Sequence, residues 1–507
     1  MSLPLVTAEE MRAIETRYRE AGGSLDELMR RAGEAVSRII APDARVLILA
    51  GPGNNGGDAL VAAERLRTRG QRVAVYAYNR RDQSGTDLTA DGDSEQAELR
   101  RLARGSTVIV DGLLGTGRRR PVEGTLQAII ETVNQVESAS RLAIDIPTGV
   151  DADTGQVESV AFRAALTLTL GFAKRGLWSY PGREYAGSVR VIDIGLPAEE
   201  QQPCETRLVT EGDVARLLPR RAFDSNKGRN GTVAVVAGSR DFTGAPVMVA
   251  MAAYRIGAGL VDMALAQTVQ EIAATHVLEP IFTRLPQSPE WVDVADLEAV
   301  NRSLERALAF AVGPGLGKHP QTVAFVREFL RSHAGSGLKG VLDADGLNAV
   351  ADESNWWRHV PKGLVVTPHP GEMARLLHSS VDAVQRDRFA SARDAAREWG
   401  IVVVLKGAYT IVADPTGELW VNPTGSPNLA TGGTGDVLTG VIAGLMAQGL
   451  EPRPAAVAGV WLHGAAGTAL TGTMGEAGTV ASDLLAELPR QRARLQSVPT
   501  LGYQEFA

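Results

Sequence analysis

Two aspartates set beside glycine-rich turns are where this chain could do chemistry. In Asn428-Leu429-Ala430-Thr431-Gly432-Gly433-Thr434-Gly435-Asp436 the glycines let successive backbone amides point into one concavity. A helix start adds the positive end of its dipole, and Asp436 stands where it could accept a hydroxyl proton. Phosphoryl transfer at a hydroxyl fits that set; the competing reading is a tight strand-to-helix turn capped by an Asp. Far upstream, three more turns follow apolar runs: Gly51-Pro52-Gly53-Asn54-Asn55-Gly56-Gly57-Asp58, Asp111 to Pro121, and Asp145-Ile146-Pro147-Thr148-Gly149. Asp111 and Asp145 each end an apolar run, so both are expected to project from strand tips into one crevice. Gly115, Thr116 and Gly117, with Arg118, Arg119, Arg120 and Pro121, could hold a pyrophosphate. Asn55, Asp111 and Thr148 offer hard oxygen ligands suited to a monovalent or divalent cation, which leaves Asp145 for proton transfer. The bland alternative makes Asp58 and Asp111 helix caps and the arginines a solvated face.

Buried parallel strands must position these turns. Short apolar runs ended by Gly, Pro or Asp place strands near 45–50, 72–78, 107–110, 141–144, 165–170 and 189–194, after a first helix capped by Thr7. Such spacing predicts a doubly wound α/β sheet, whose ligands bind beyond the carboxyl ends of the strands. The first glycine turn has a proline inside it and an Asn-Asn pair after it, unlike a G-x-G-x-x-G fingerprint with a downstream ribose-binding acid. A dinucleotide is therefore expected as substrate rather than as hydride-carrying cofactor.

The alternation breaks between Ile194 and Gly231 and then restarts, with a strand at 232–237, a helix at 245–256 and a strand at 259–265. We place a domain boundary near residue 215, giving domains 1–215 and 216–507; a chain of 507 residues exceeds what one core usually supports. In the second domain the strand-end turns at 311–317, 341–349, 365–372 and 403–410 follow one another in an order that resembles a ribokinase-like nucleotide fold. Lys406, Gly407, Ala408, Tyr409 and Thr410 could meet nucleotide phosphates, and Gly432 to Gly435 the anion being transferred. His369, between two prolines, could orient a polar substrate group, although a lone His is more often structural. Asp343 and Asp345 could bind Mg²⁺ through water or cap a helix. His463 and the Trp356-Trp357 pair read as core.

Composition narrows the partners. A net charge of −7 with 22% charged residues suggests no nucleic acid. Cys204 is the only cysteine, which excludes an intramolecular disulfide and a cysteine-cluster metal site. No apolar run approaches the length of a membrane span and no secretory leader is visible, so no membrane partner and a cytoplasmic location are expected.

Taken in order, GPGNNGGD at 51–58, DGLLGTGRRRP at 111–121, DIPTGVDADTG at 145–155, KGRNGTVAVVAGS at 227–239, TGAP at 243–246, GPGLG at 313–317, LDADGLNA at 342–349, TPHPGE at 367–372, LKGAYT at 405–410 and NLATGGTGDVLTG at 428–440 resemble the bifunctional NAD(P)H-hydrate repair enzymes. The resemblance covers nearly the whole chain. It implies an N-terminal Rossmann-like epimerase that interconverts the R and S forms of hydrated NAD(P)H. It also implies a C-terminal ribokinase-like dehydratase that returns the S form to NAD(P)H with ADP as phosphoryl donor, giving AMP and phosphate. Carried over, Asn54, Asn55, Gly56, Gly57, Asp58, Gly115 to Pro121 and Asp145 would contact the hydrate, with Asn55, Asp111 and Thr148 around K⁺. Ala245, Gly315, His369 and Asp436 would face it in the second domain, and Lys406 to Thr410 with Asn428 to Gly435 would hold ADP. K⁺ and Mg²⁺ are the implied ions, and a homo-oligomer is expected. Thr148 stands where the family often has Ser, Ala59 where Gly is usual and Asn226 where His is common, and none of the three removes a candidate acid or base. The alternative is an ATP-dependent small-molecule hydroxyl kinase fused to a nucleotide-sensing domain.

Overall fold

The computed structural model describes residues 3–117, 121–201 and 204–496. The chain divides into two compact units between Thr206 and Arg207. Residue 215 falls inside the helix Glu211–Leu217, whose Thr210 cap and buried Val214 belong to the second unit.

The first unit carries a seven-stranded, all-parallel sheet in the order Leu88–Thr89, Arg72–Ala77, Arg45–Ala50, Val108–Gly112, Ser140–Ile144, Leu166–Leu170, Ser188–Ile192. Arg45–Ala50 shows why it is central. Val46, Ile48 and Ala50 pack on one face beneath the helices Leu25–Ile39 and Asn54–Thr68, while Leu47 and Leu49 pack on the other against Ile109, Ile129 and Ile130. Both sides of the strand are covered, so its residues are apolar without alternation. Chain direction across the sheet reverses between Arg45–Ala50 and Val108–Gly112, which opens a crevice past their carboxyl ends. A small parallel pair, Leu3–Val6 with Ala173–Lys174, sets Val6 beside Lys174. It is followed by the helix Ala8–Glu20, capped by Thr7 through a reciprocal bond pair with Glu10.

The second unit repeats the scheme. Its parallel strands run in the order Ile281–Leu285, Leu260–Ala266, Thr232–Val236, Ala309–Val312, Lys339–Leu342, Gly363–Val366, Val402–Leu405, and the antiparallel strands Ile411–Ala413 and Leu419–Val421 follow. The helix Thr434–Ala447 is buried all round from Val437 to Ala447. It crosses Gly244–Ile256 so closely that a Cβ at Gly440 would stand 2.2 Å from the Val249 carbonyl oxygen. That packing fixes the start of the helix, and with it Asp436. Among the described residues no helix is long and apolar enough to cross a membrane.

Candidate active sites

In the first unit the helix Asn54–Thr68 begins directly after Gly53, so Asn54 to Asp58 are its first residues. Asp58 therefore does not cap it. Gly56 is required by close approach, because a Cβ there would meet the Gly51 carbonyl oxygen at 2.0 Å; Gly57 backs onto Met29. Asn54 alone of these five is exposed.

Asp111 is fully buried and does not point freely into the crevice. Its Oδ1 accepts from the Leu113 amide (3.1 Å) and Thr148 Oγ1 (2.8 Å), and its Oδ2 from the Thr148 amide (2.7 Å). Burial outweighs these bonds and pushes the carboxyl up to about 6. The Leu114 peptide ties the group together: its amide donates to Thr148 Oγ1 at 3.0 Å and its carbonyl accepts from Asn55 Nδ2 at 3.0 Å. Asn55 Oδ1 is buried with no hydrogen-bond partner among the described residues. An orphaned amide oxygen beside a buried carboxylate and a hydroxyl is a donor set that suits K⁺.

Asp145 follows Ser140–Ile144 and adopts φ +67°, a strained backbone for a residue other than glycine. Its Oδ1 accepts from the Leu170 amide at 3.1 Å and from Lys174 Nζ, which also donates to the Leu170 carbonyl at 2.9 Å. Its Oδ2 has no partner among the described residues and faces Gly115, where a Cβ would lie 3.8 Å away. Lys174 is 0% exposed. Sequence reasoning missed it; the signal is a lysine at the end of an apolar stretch just past a strand. Around this pair burial raises Glu15 and, reinforced by Asp145 and Glu15, pushes Asp58 up to about 8. The Asp58 carboxyl is thus protonated at neutral pH beside an ion-paired aspartate. Gly115, Thr116 and Gly117 are in the same turn, Pro121 is exposed, and Arg118, Arg119 and Arg120 lie outside the described residues.

In the second unit Gly433, at φ +89°, precedes the helix Thr434–Ala447, and Asp436 lies in its first turn. Its carboxyl has no hydrogen bond or ion pair among the described residues. Burial, then the nearby Asp343, push it up to about 7, with Lys406 opposing. Lys406 is held away from the solvent: Nζ donates to Asp343 Oδ1 at 2.8 Å and stands 3.6 Å from Glu372 Oε2. Its ammonium thus lies against two carboxylates. Asp343 Oδ2 accepts from Thr439 Oγ1 at 2.8 Å, and Asp345 bonds the Gly317 amide (2.9 Å) and Asn348 Nδ2 (3.2 Å). With both Asp343 oxygens taken and the ammonium on one of them, these residues do not fit direct Mg²⁺ ligation, and neither side chain caps a helix. Among the described residues no group of three or more His, Cys, Asp or Glu is placed to hold a metal.

His369 caps the helix Pro370–Leu376, its Nδ1 accepting from the Gly371 (3.0 Å) and Glu372 (3.3 Å) amides while Glu372 Oε2 accepts from the His369 amide. That assigns the ring proton to Nε2, and burial, the largest influence, lowers the imidazole's pKa. Gly315 lies against Ala245, where its Cβ would come within 2.9 Å of the alanine's, and the exposed Phe242 closes the same spot. Asn428 is scaffold: buried, it donates to the Gly467 carbonyl at 2.9 Å and to Thr479 Oγ1 at 3.2 Å. Thr431 and Thr434 stitch the turn through the Asn428, Leu429 and Thr431 carbonyls. Ala430 and Gly432 are exposed, as are Gly407 and Ala408, whereas Leu429, Gly433, Gly435, Tyr409 and Thr410 are half-buried. His463 is core as expected; burial pushes it down to about 4, so the neutral ring donates Nε2–H to the Thr434 carbonyl at 2.9 Å.

Residues 233–490 match the family described as NAD(P)H-hydrate dehydratase, and residues 25–176 match the YjeF-related protein N-terminus. The chain is 38% identical to a bifunctional NAD(P)H-hydrate repair enzyme from Moorella thermoacetica, over 88% of this chain and 87% of that one. It is 36% identical to one from Coxiella burnetii, over 94% and 97%. A ribokinase-like superfamily protein from Enterococcus faecalis superposes with a TM-score of 0.51 at 25% identity, covering 57% of this chain and 96% of that one.

Proposed function

The chain belongs to the bifunctional NAD(P)H-hydrate repair enzymes, and from that premise we propose which groups carry each reaction. In the first unit Asp145 Oδ2 takes the proton of the hydroxyl on C6 of the hydrated nicotinamide. The bond from C6 to the ring nitrogen breaks as the C6 carbonyl forms, and Asp58, kept neutral by burial, gives its proton to the nitrogen. Rotation about the C5–C6 bond and the reverse steps close the ring on the other face. Lys174 orients Asp145 through its bond to Oδ1. K⁺, when bound by Asn55, Asp111 and Thr148, supplies a fixed positive charge in the crevice; the orphaned Asn55 oxygen is what supports that assignment.

In the second unit Asp436 takes the same hydroxyl's proton while the terminal phosphoryl group of ADP moves onto the oxygen, and AMP leaves. Hydroxide is a poor leaving group and a phosphate ester is a good one. The ring nitrogen's lone pair then expels phosphate, and loss of a C5 proton restores the reduced ring. Amides of the turn 430–435 and the dipole of Thr434–Ala447 stabilise charge on the moving group. The observation that carries this reading is an unpaired aspartate, pushed up to about 7, in the first turn of a buried helix behind a glycine-rich cradle. The test supplies the S hydrate and either ADP or ATP to Asp436→Asn. Loss of reduced-ring recovery with nucleotide still bound supports the base assignment, and retained turnover defeats it.

A further inference from the structure

Buried guanidinium groups are ordinarily paired with a carboxylate, because an isolated charge in the interior is costly. Arg388 is 6% exposed, and among the described residues it makes no ion pair. Nη1 donates to Gln385 Oε1 at 2.9 Å, and Nη2 donates to the Leu405 and Lys406 carbonyls at 3.2 Å each. Burial lowers its pKa only to about 10, so it stays charged at neutral pH.

A second buried arginine shows what compensation looks like. Arg492 also has no carboxylate, but it donates to the carbonyl of Ile256, the last residue of the helix Gly244–Ile256. There the negative end of the helix dipole offsets the charge. Arg388 bonds no helix-end carbonyl: it lies between the short helix Val381–Arg386 and the helix Arg388–Trp399, of which it is the first residue, and its guanidinium meets the Gln385 side chain and two carbonyls at the end of the strand Val402–Leu405. Asp387 caps that end through the Ala390 amide and makes no ion pair with the guanidinium. The group lies against Gly407, where a Cβ would stand 3.1 Å from both Nη atoms; Gly407 has φ +133° and, like Ala408, is exposed on its other side. A cation with no carboxylate partner among the described residues thus sits directly beneath an open turn, while the lysine beside it is bound to Asp343 and Glu372.

We propose that Arg388 is the buried counter-cation of the nucleotide site: it braces the Lys406–Thr410 turn through two carbonyls and supplies the charge that the diphosphate of a bound nucleoside diphosphate neutralises. This rests on the reading of that turn as nucleotide-binding. Arg388 is a positioning residue that acts through the turn.

The test titrates full-length protein with ADP and with adenosine at low and moderate salt. Arg388→Gln keeps an amide donor for the carbonyls but no charge, and it is expected to weaken ADP about tenfold or more. The salt dependence of ADP affinity should flatten and adenosine affinity should stay the same. Arg388→Lys, which keeps the charge, should restore most of the affinity and the salt dependence, and it serves alone if the glutamine variant does not fold. ADP binding within twofold of wild type in Arg388→Gln, equal losses for ADP and adenosine, or a flat salt dependence in Arg388→Lys would each overturn the proposal. Ala408→Asp separates the two levels. If it leaves ADP affinity intact, the turn is not the nucleotide site and both readings fail; if it abolishes binding while Arg388→Gln does not, only the role of Arg388 fails.

Discussion

Each unit sets a lysine near its aspartate, and the two lysines are used in opposite ways. Lys174 bonds Asp145 itself, so one carboxylate oxygen is fixed and the other is left facing the crevice. Lys406 bonds Asp343, a neighbour, and Asp436 is left without a partner among the described residues and pushed up to about 7 by burial and by that neighbour. In the proposed mechanism the first arrangement presents a base that is oriented by the lysine, with a separate carboxyl, Asp58, pushed up to about 8 by burial, as the proton donor. The second yields a base that titrates near neutrality, suited to taking a proton as phosphoryl transfer begins. Similar sheets built in the same strand order can therefore tune an aspartate toward either task by choosing which carboxylate the lysine meets.

The sharpest way to break the comparison is to remove each base. Asp145→Asn should lower epimerisation about a thousandfold and leave dehydration of the S hydrate unchanged; Asp436→Asn should do the reverse. Chiral separation of the hydrates and appearance of the reduced ring measure the two separately. Equal loss of both activities in either variant would mean that the sites are not independent.

Lys174→Met should strand the Asp145 charge in the interior and cost about 3–5 kcal/mol of the first unit's stability. A urea titration of the full chain should show that unit's transition moving to lower denaturant, and a shift worth under about 1 kcal/mol would make the pair incidental.

The pH profiles should differ as well. Asp436 must be ionised to act, and its pKa is raised, so dehydration kcat/KM should fall about tenfold per pH unit below about 7 and level off above it. Asp343→Asn removes the neighbouring charge that raises Asp436 and frees Lys406, so the acid limb should move to lower pH. An unmoved limb would assign the titration to another group.

The smallest expected effect concerns the cation. Asp111→Ala should weaken the K⁺ dependence of epimerisation. In the wild type the K⁺ requirement should rise as pH falls through about 6, where the buried Asp111 carboxyl becomes protonated and ceases to be an anionic ligand. A cation titration identical in variant and wild type would remove Asp111 from the ligand set.

The strands were legible to within a residue or two, because a strand buried on both faces is a continuous apolar run that ends where its turn begins. The glycine turns were legible for backbone reasons: no other residue fits where Gly56 meets the Gly51 carbonyl. Lys174 escaped because its two-residue strand, Ala173–Lys174, has no periodicity and is positioned by pairing with Leu3–Val6, a strand distant in sequence. The contacts of Lys406 with Asp343 and Glu372 were not legible, since those residues follow other strands of the sheet and reach it only in the folded unit. The bonds of the Asn428 amide to the Gly467 carbonyl and Thr479 Oγ1 were not legible either, because those partners stand 39 and 51 residues further along the chain. Spacing along the chain shows which residues arrive at a strand end, and not which of them bond to one another there.

Racemic hydrated NADH with ADP, followed by the absorbance of the reduced ring, tests two-site repair most directly. Wild type is expected to recover all of the substrate, Asp145→Asn half of it quickly and the rest only at the uncatalysed rate of epimerisation, and Asp436→Asn none. Full, rapid recovery by Asp145→Asn, or any recovery by Asp436→Asn at the wild-type rate, would contradict the assignment of one base to each pocket.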